Sequence, residues 1–387
     1  MNKIVGYSYW GFLSDYKLDK DGNTLSTPDG NAAYSWSIIN ALQNRGYTVI
    51  APFPNRDANT YKHMQDLGFS SWAKNLRDIS YNKMKFCEFP EKFNDVTMDQ
   101  VFKVWDSVGL NNSQFILHEW RMKIPNRNLL NERHLENWQP DLFLQECIVE
   151  YCKKNNIRLL IFDLDYHLTE EQVQVLPPNY VIVDIGAKWK KYPQYNSIQV
   201  SIPCDLSFVN EFPLINNPTV NMVYVGNRYE RDWCIDKYIP ENQEGITIYG
   251  NWKEGGRDSE NRWPLLNFGN RIQQKDMYRV YSNAICTILL AKRNYLEHNF
   301  MTVRLGEALN YGTVPLFIEE YGKKFIKKYA GYYADLITVH NKDDVIKVIE
   351  YFKQNPDERK KVIKYLTKKV SSIMNPEVFV DYITGNK

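Results

Sequence analysis

Short apolar runs alternate along this chain with segments in which apolar side chains recur at helical spacing. The first apolar run covers residues 3–7, and a polar loop follows at residues 14–30. Residues 31–44 then carry four apolar side chains on one helical face, Gly46 ends the helix, and residues 47–50 form the next apolar run. This order of strand, loop, helix and strand predicts the beginning of a Rossmann-like domain.

Further runs of the same kind continue to the end of the chain, so the pattern predicts an α/β fold. Because the runs are apolar throughout, we expect parallel strands that are covered on both faces. Pro315 weakens the last strand prediction, since proline cannot donate a ladder hydrogen bond. Helical spacing recurs at 141–154, 303–311 and 357–372. The further predicted strands are 113–117, 157–162, 180–183, 198–202, 222–225, 246–249, 285–290 and 314–318.

A segment with three prolines, residues 203–218, divides the two series of strands and is typical of a linker. We therefore predict two Rossmann-like domains that face a central cleft. The first domain covers residues 1–205 and includes a polar, aromatic region at 55–138 without a clear pattern. The second covers residues 206–372, and a tail at 373–387 is expected to pack back on the first domain.

The composition excludes several classes of protein. A net charge of +2, with 24% charged and 43% hydrophobic residues, argues against a disordered chain, a collagen-like array and a strongly basic chromatin protein. Aromatic residues reach 14%, which suits either a sugar or base contact surface or a large core.

The cysteines and the apolar runs indicate the cellular compartment of the protein. The six cysteines are scattered without a C-x-x-C pair, which argues against structural zinc and disulfides. No apolar run approaches the ~18 residues of a membrane helix, and the N-terminus lacks the features of a signal peptide. We expect a cytoplasmic protein, in the host cell if the chain is phage-encoded.

Two glycine turns follow strands in the second half. Gly226 and Asn227 come directly after a strand, and Arg228 and Arg231 could hold a diphosphate through charge-assisted hydrogen bonds. Gly250-Asn251 follows the next strand. An ordinary polar turn is the alternative at both places.

The third polar cluster, residues 294–307, leads from a loop into a helix. Arg304 and Glu307 lie three residues apart and share one helix face. The arginine could neutralise a pyrophosphate near the helix start while the glutamate accepts hydrogen bonds from ribose hydroxyls. An intrahelical Arg–Glu pair on a solvated face is the alternative.

These clusters resemble the donor-binding region of the phage DNA β-glucosyltransferases. That family carries the pattern N-Y-x(3)-N-F-x-T-x-R-x-x-E, and residues 294–307 match it in order and spacing. The resemblance implies a GT-B fold and a UDP-sugar donor. The donor-binding residues that it implies are Gly226, Asn227, Arg228, Arg231, Gly250, Asn251, Ile272, Tyr295, Asn299, Arg304 and Glu307.

The resemblance also implies a general base at the end of the strand predicted at 157–162. Asp165 is the preferred candidate and Asp163 the alternative. Near the first helix the family has a glutamate where this chain has Asp29, Gly30 and Asn31, which are taken as sugar or acceptor contacts. His167 is a further candidate base or sugar contact, although a lone histidine is more often structural.

Family resemblance further implies glucosylation, with inversion, of a 5-hydroxymethylated pyrimidine that is flipped out of duplex DNA. Trp120, Arg121, Lys123 and Arg127 form a basic, aromatic stretch and are the candidate DNA-binding residues. We expect a monomer with no membrane partner and no metal site; a divalent metal is compatible with the reaction but not essential. A GT-B enzyme with a non-DNA acceptor, or a nucleotide-sugar binding protein, are the alternatives.

Overall fold

The computed structural model describes residues 3–8, 30–52, 84–87, 96–120, 140–164, 166–206, 214–252, 259–272 and 277–385. The chain divides into two compact units. The first consists of Met1–Ser201 with Phe379–Lys387, and the second of Ile202–Val378. The boundary predicted from the sequence, between residues 205 and 206, lies four residues later.

A parallel sheet forms the centre of the first unit, and its described residues contribute seven strands in the order β3-β2-β1-β4-β5-β6-β7. The residues of β4 are all buried, as the continuous apolar runs predict for strands covered on both faces. The strands are β1 (Lys3–Ser8), β2 (Tyr47–Ala51), β3 (Lys85–Phe86), β4 (Phe115–Glu119), β5 (Arg158–Phe162), β6 (Val181–Asp184) and β7 (Ser197–Gln199).

One helix of the first unit lies in the region where the sequence pattern was unclear. The helix at 98–107 has a capping box, in which Thr97 accepts a hydrogen bond from the Gln100 backbone amide and the Gln100 side chain caps Thr97 in return. It buries Val101, Phe102 and Trp105. The helices of this unit are α1 (Gly30–Asn44), α2 (Met98–Ser107), α3 (Pro140–Asn155) and α4 (Glu170–Val173), with 3-10 turns at Leu110–Asn112 and Trp189–Lys191.

The described part of the second unit has a six-stranded parallel sheet in the order β10-β9-β8-β11-β12-β13. This is the strand order of a Rossmann fold, in which the connection from the third strand to the fourth crosses back over the first. The strands are β8 (Val220–Val225), β9 (Ile246–Tyr249), β10 (Asn267–Gly269), β11 (Ala284–Leu289), β12 (Val314–Ile318) and β13 (Thr338–Val339). Each strand predicted from the sequence overlaps an observed strand.

Helices cover this second sheet, and the last helix of the chain leads back into the first unit, where Arg45 forms an ion pair with Asp381 at 2.7 Å. The helices are α5 (Asp232–Tyr238), α6 (Ser259–Arg262), α7 (Met277–Ser282), α8 (Arg293–Glu297), α9 (Arg304–Asn310), α10 (Lys323–Ala330), α11 (Ala334–Ile337), α12 (Lys342–Gln354), α13 (Pro356–Met374) and α14 (Pro376–Thr384), with 3-10 turns at Glu319–Tyr321 and Gly331–Tyr333.

Pro315 is accommodated inside β12 because the neighbouring strand is short. It pairs with Thr287 of β11 on one side, while β13 pairs only with Phe317 and Ile318 on the other. The missing amide hydrogen therefore falls where β12 is locally an edge strand, which is a position that tolerates proline. Within the described residues, none of the helices is both long enough and apolar enough to span a bilayer.

Candidate active site

The candidate donor site lies at the carboxyl end of the second sheet. Strands β8 and β11 are neighbours there, and β9 and β12 lie on their outer sides. Such a change in strand order is the point at which open α/β sheets bind ligands. Gly226 follows β8 directly, so the first predicted cluster stands at this point.

The two glycine turns approach each other closely. Gly226 donates its backbone N–H to the Tyr249 carbonyl at 2.9 Å, and Trp252 Nε1 donates to the Gly226 carbonyl at 2.7 Å. Gly250 has φ +135°, and a Cβ there would overlap the Gly226 carbonyl oxygen. In addition, the Asn251 backbone N–H donates to Asn227 Oδ1 at 3.1 Å. The structure therefore joins the two predicted turns into one backbone platform.

Arg304, the first residue of α9, extends to this platform. Its Nε donates to the Val225 carbonyl at 2.7 Å, and its guanidinium carbon lies 5.7 Å from the centre of the Tyr224 ring. A Cβ on Gly226 would lie only 2.5 Å from Arg304 Nη2, so the glycine makes room for the guanidinium. Burial acts to lower the pKa of Arg304, but the combined effect of Tyr224, Glu307 and other neighbours is larger and of opposite sign, so the net shift of the pKa is upward. The site therefore holds a fixed positive charge.

Glu307 lies one turn along the same helix but does not pair with this arginine. Among the described residues, no ion pair within 4.0 Å joins Glu307 to Arg304, so the intrahelical pair considered above is absent. Burial raises the pKa of Glu307, and Arg304 opposes the shift. Burial is the main cause that raises the pKa values of Tyr281, Tyr311 and Cys204, and the neighbouring carboxylate of Glu307 raises them further. Such a carboxylate is suited to accept hydrogen bonds from a ligand.

The two arginines of the first cluster have partners within the protein. Arg228 makes a bidentate ion pair with Asp232, with its Nε at 2.7 Å and its Nη2 at 2.6 Å from the carboxylate oxygens. It also lies over the Trp263 ring at 5.3 Å. Arg231 is 3% exposed and donates Nη1 to the carbonyls of Asn227 (3.1 Å) and Tyr229 (3.2 Å). Both side chains thus brace the loop after β8, and their contact with a diphosphate stays a prediction.

The remaining predicted donor residues fall into two groups. Tyr295 is buried and makes an edge contact with Phe300, with 4.6 Å between the ring centres. Asn299 is exposed and has φ +51°, a conformation that asparagine tolerates better than most residues. Ile272 packs at the edge of the apolar cluster around Tyr281. Tyr295 and Ile272 therefore have packing roles in this structure, whereas Asn299 is accessible.

In the first unit, Asp163 and Lys188 hold the loop that follows β5. Asp163 is 2% exposed, and its two carboxylate oxygens accept the backbone N–H groups of His167 (2.8 Å) and Leu168 (3.1 Å). Lys188 Nζ donates to the carbonyls of Tyr166 (3.0 Å) and Leu168 (2.7 Å) and lies 3.9 Å from Asp163 Oδ2. Amides and carbonyls of the loop are therefore anchored by a buried carboxylate and a half-buried lysine.

The preferred base, Asp165, lies outside the described residues. The next residue, Tyr166, has φ +58°, so the chain turns sharply there. The His167 side chain is exposed. Asp29 also falls outside the described residues, while Gly30 and Asn31 form the first turn of α1.

One predicted DNA contact is wrong in this structure. Trp120 is fully buried, and its ring makes an edge contact with His118 at 5.9 Å. A side chain in the core cannot contact a nucleic acid, and the residue directly follows a fully buried strand. Arg121, Lys123 and Arg127 lie outside the described residues.

Sequence reasoning missed a polar group at the end of β4. Glu119 is 1% exposed and accepts a hydrogen bond from the Tyr34 hydroxyl of α1. The adjacent His118 shares hydrogen bonds with Ser8 Oγ and Gln145 Oε1, both at 2.8 Å. His118 and Glu119 were detectable as two polar residues at the end of an apolar run. Asp163 and Asp165 were identified from the same kind of position. Lys188 carried no such signal, because its partners come from another loop.

Comparison with known proteins agrees with this geometry. Residues 231–375 match a family model described as glycosyl transferase-like. The matched residues all lie within the second unit. No curated protein matches the sequence.

Solved structures match over the whole length. T4 phage β-glucosyltransferase, a DNA-modifying enzyme solved with and without uridine diphosphoglucose, aligns with a TM-score of 0.57 and 13% identity, covering 100% of this chain and 98% of its own. The chain has a GT-B fold. This confirms at the level of the fold the resemblance stated from residues 294–307.

Further solved structures match to a similar degree. The same T4 enzyme in complex with UDP and Mn²⁺ gives a TM-score of 0.59 at 13% identity, with 99% of each chain covered. Anabaena HepE in complex with UDP-glucose gives 0.55 at 9% identity, covering 99% of this chain and 98% of that one. At such identities the likeness establishes the architecture and leaves the acceptor open.

Proposed function

We propose that the protein is an inverting glycosyltransferase that transfers glucose from UDP-glucose to the hydroxyl of a 5-hydroxymethylated pyrimidine in duplex DNA. The observation that carries the proposal is the position of Arg304. A half-buried, charged guanidinium is held beside Gly226, at the switch point of the second sheet. The chain as a whole aligns end to end with a DNA-modifying glucosyltransferase.

The second unit supplies the donor contacts. Arg304 neutralises the diphosphate of UDP-glucose, and its charge stabilises the departing UDP. Glu307, one turn away, accepts hydrogen bonds from the ribose hydroxyls. Gly226 and Gly250 let the backbone platform approach the diphosphate without interference from a Cβ.

The first unit supplies the general base. The acceptor base is flipped out of the duplex, and its hydroxyl oxygen attacks the anomeric carbon from the face opposite to UDP. Asp165 takes the hydroxyl proton as the new glycosidic bond forms and the bond to the UDP oxygen breaks, so that UDP leaves with the electron pair. Asp163 is less suited to this role because both of its oxygens already accept backbone hydrogen bonds.

The reaction is proposed to need no bound metal, since the arginine already provides positive charge at the leaving group. Among the described residues, no group of three His, Cys, Asp or Glu side chains could hold a metal ion. One related enzyme was solved with UDP and Mn²⁺, so turnover is to be compared with EDTA, Mg²⁺ and Mn²⁺. We expect the rate to change less than tenfold among the three.

A mass-spectrometric assay tests the function. The protein is incubated with a panel of UDP-sugars and with duplexes that carry 5-hydroxymethylcytosine or 5-hydroxymethyluracil, and the DNA is digested to nucleosides. A gain of one hexose mass from UDP-glucose is expected. Asp165→Asn is expected to reduce the rate about 10²- to 10⁴-fold, the contribution typical of a general base. Glu171→Gln, an exposed acid on α4, is the matched control and is expected to leave the rate unchanged.

A second candidate is a GT-B enzyme with a non-DNA acceptor. Anabaena HepE, which binds UDP-glucose, matches this chain over the same length, and the burial of Trp120 removes one expected DNA contact. UDP release without a nucleoside mass gain would favour this candidate. If neither UDP release nor nucleoside gain occurs and Asp165→Asn changes nothing, the protein is a nucleotide-sugar binding protein instead.

A further inference from the structure

Two helices of the second unit concentrate positive charge. Together α10 and α13 contain ten basic and two acidic side chains, a net charge of +8, whereas the whole chain has +2. The rest of the protein therefore carries a net charge of −6. Nine lysines form this group, here called the lysine face: Lys323, Lys324, Lys327 and Lys328 on α10, and Lys360, Lys361, Lys364, Lys368 and Lys369 on α13.

The lysines of α13 lie opposite its buried side. Val362, Leu366 and Val370 belong to the buried stripe, while Lys364 and Lys368 are exposed. Because the apolar side already packs into the core, these lysines are not needed to cover apolar surface. Like charges at i and i+4 repel one another, so the row costs stability unless an anion lies against it.

The two helices pack against each other, so the segments that carry these lysines are neighbours. The turn that follows α10 contacts α13, with Tyr332 and Tyr333 lying 4.3 and 5.4 Å from the Tyr365 ring. The Tyr333 hydroxyl also donates to Glu358 Oε1 at 3.0 Å. The C-terminal end of α10 is thereby held beside the middle of α13.

Few carboxylates neutralise this surface. Lys360 pairs with Asp357 at 3.1 Å and Lys361 with Glu358 at 3.2 Å, and both are exposed pairs of small energetic value. The lysines for which the described residues provide no carboxylate oxygen within 4.0 Å are Lys323, Lys324, Lys327, Lys364, Lys368 and Lys369. Most of the positive charge therefore faces solvent.

The chemistry of the face suits a phosphodiester backbone. Lysine is a point charge that binds phosphate without reading bases, and Lys361 to Lys368 extend over about 10 Å at 1.5 Å per residue. A DNA duplex presents one charge per about 1.7 Å of its axis, so several phosphates fit along this row. A helix that lies in a membrane needs exposed apolar residues opposite its charges, whereas the apolar side of α13 is buried.

We propose that the lysine face binds the backbone of duplex DNA without sequence preference. The identification of DNA rests on the proposed function, which this contact deepens by naming a second-unit surface that holds the polymeric acceptor. Contacts of this kind release counterions, so they set the dependence of affinity on salt.

The test compares two triple variants that lose equal charge from the same unit. The first is Lys327→Gln, Lys364→Gln and Lys368→Gln, three exposed lysines for which the described residues provide no carboxylate oxygen within 4.0 Å. The control is Lys342→Gln, Lys347→Gln and Lys353→Gln, in which each lysine already lies within 3.3 Å of a carboxylate oxygen on α12 or on Glu241. Binding of a fluorescent, unmodified DNA duplex is measured by anisotropy from 50 to 200 mM salt, and thermal unfolding verifies that both variants are folded.

For the lysine-face variant, we expect the slope of log affinity against log salt to be less steep by about 2.7, or about 0.9 per lost contact. The control is expected to keep the wild-type slope. Equal slopes for the two variants, or no duplex binding at 50 mM salt, would overturn the proposal. So would lysine-dependent binding to phosphatidylserine vesicles with an unchanged duplex slope, which would assign the face to a membrane.

The outcome is separable from that of the proposed function. Duplex binding is measured without donor and without a modified base, so a flattened slope supports the lysine face even when no nucleoside gains mass. Conversely, glucosylation of DNA with an unchanged slope overturns the lysine face and leaves the proposed function intact. UDP-glucose affinity, measured by calorimetry, is expected to be the same in both variants.

Discussion

The position of Arg304 can be tested without changing the arginine itself. In Gly226→Ala, the new Cβ would lie 2.5 Å from Arg304 Nη2 and 2.6 Å from the Tyr224 hydroxyl. Gly226 does not adopt the left-handed conformation, so alanine brings no backbone strain. Both obstructing atoms are the ends of side chains. The guanidinium is therefore expected to move while the fold is preserved.

The size of the effect follows from the contacts of the arginine. To reach an ordinary separation of about 3.5 Å, the guanidinium must shift by about 1 Å. This shift disrupts the 2.7 Å hydrogen bond from Arg304 Nε to the Val225 carbonyl. A hydrogen bond with a charged partner contributes about 1.5–3 kcal/mol. At 1.4 kcal/mol for each factor of ten, we expect UDP-glucose to bind about 10- to 100-fold more weakly.

Two other glycines serve as controls in urea unfolding and in calorimetry with UDP-glucose. Gly322 has φ +81° and ψ 141° but open space around its Cβ position, so Gly322→Ala is expected to cost about 1–3 kcal/mol of stability and to leave donor affinity unchanged. Gly250→Ala would press on the backbone carbonyl of Gly226, which cannot swing away. We expect it to destabilise the protein by more than Gly322→Ala.

Donor affinity in Gly226→Ala within twofold of the wild type would refute the reasoning, because Arg304 would then not need its place at the end of β8. A loss of stability as large as that of Gly250→Ala would refute it in another way. In that case the backbone, and not the Arg304 side chain, would have moved to accommodate the new Cβ.

Two further predictions concern buried charges. Burial raises the pKa of Glu307 in the folded state. Its ionisation therefore destabilises the fold as the pH rises from about 4.5, the ordinary value, through the higher folded-state value. Glu307→Gln should raise the melting temperature at pH 7 but not below pH 4.5, and it should weaken UDP-glucose binding. An equal stability difference at both pH values would contradict this. Lys188→Met should lower the free energy of unfolding by about 2–4 kcal/mol, because methionine cannot donate to the carbonyls of Tyr166 and Leu168 and removes a positive charge beside the buried Asp163. Lys191 is exposed, so Lys191→Met should change the free energy of unfolding by less than about 0.5 kcal/mol. If chemical denaturation gives equal free energies of unfolding for the two variants, Lys188 does not anchor the loop.

The architecture could be predicted from the sequence because local pattern encodes it. Runs such as 222–225 and 246–249 are apolar throughout, and this is a direct consequence of strands covered on both faces. Strands β3, β10 and β13 were missed because two or three residues carry no periodicity. Helix α2 was missed although Thr97 and Gln100 provided a capping signal.

The candidate site was predictable only in part. The spacing of Arg304 and Glu307 placed both on one helix, but it could not decide whether they pair with each other. That depended on Val225, whose carbonyl lies 79 positions earlier in the chain and accepts the arginine's hydrogen bond. Trp120 looked like a surface aromatic because its neighbours in sequence are basic, and yet its ring lies in the core.

The sequence by itself determined the elements, the two Rossmann-like halves and the residue pattern at 294–307. Each of these is local, since it follows from side chains within a few turns or a single strand. The tertiary structure alone decided which residues meet at the sheet ends: Gly226 with Gly250, Arg304 with the end of β8, and Lys188 with the loop after Asp163. Parallel strands are joined by long crossovers, so groups that meet at one sheet edge are far apart in sequence and leave no periodic signal.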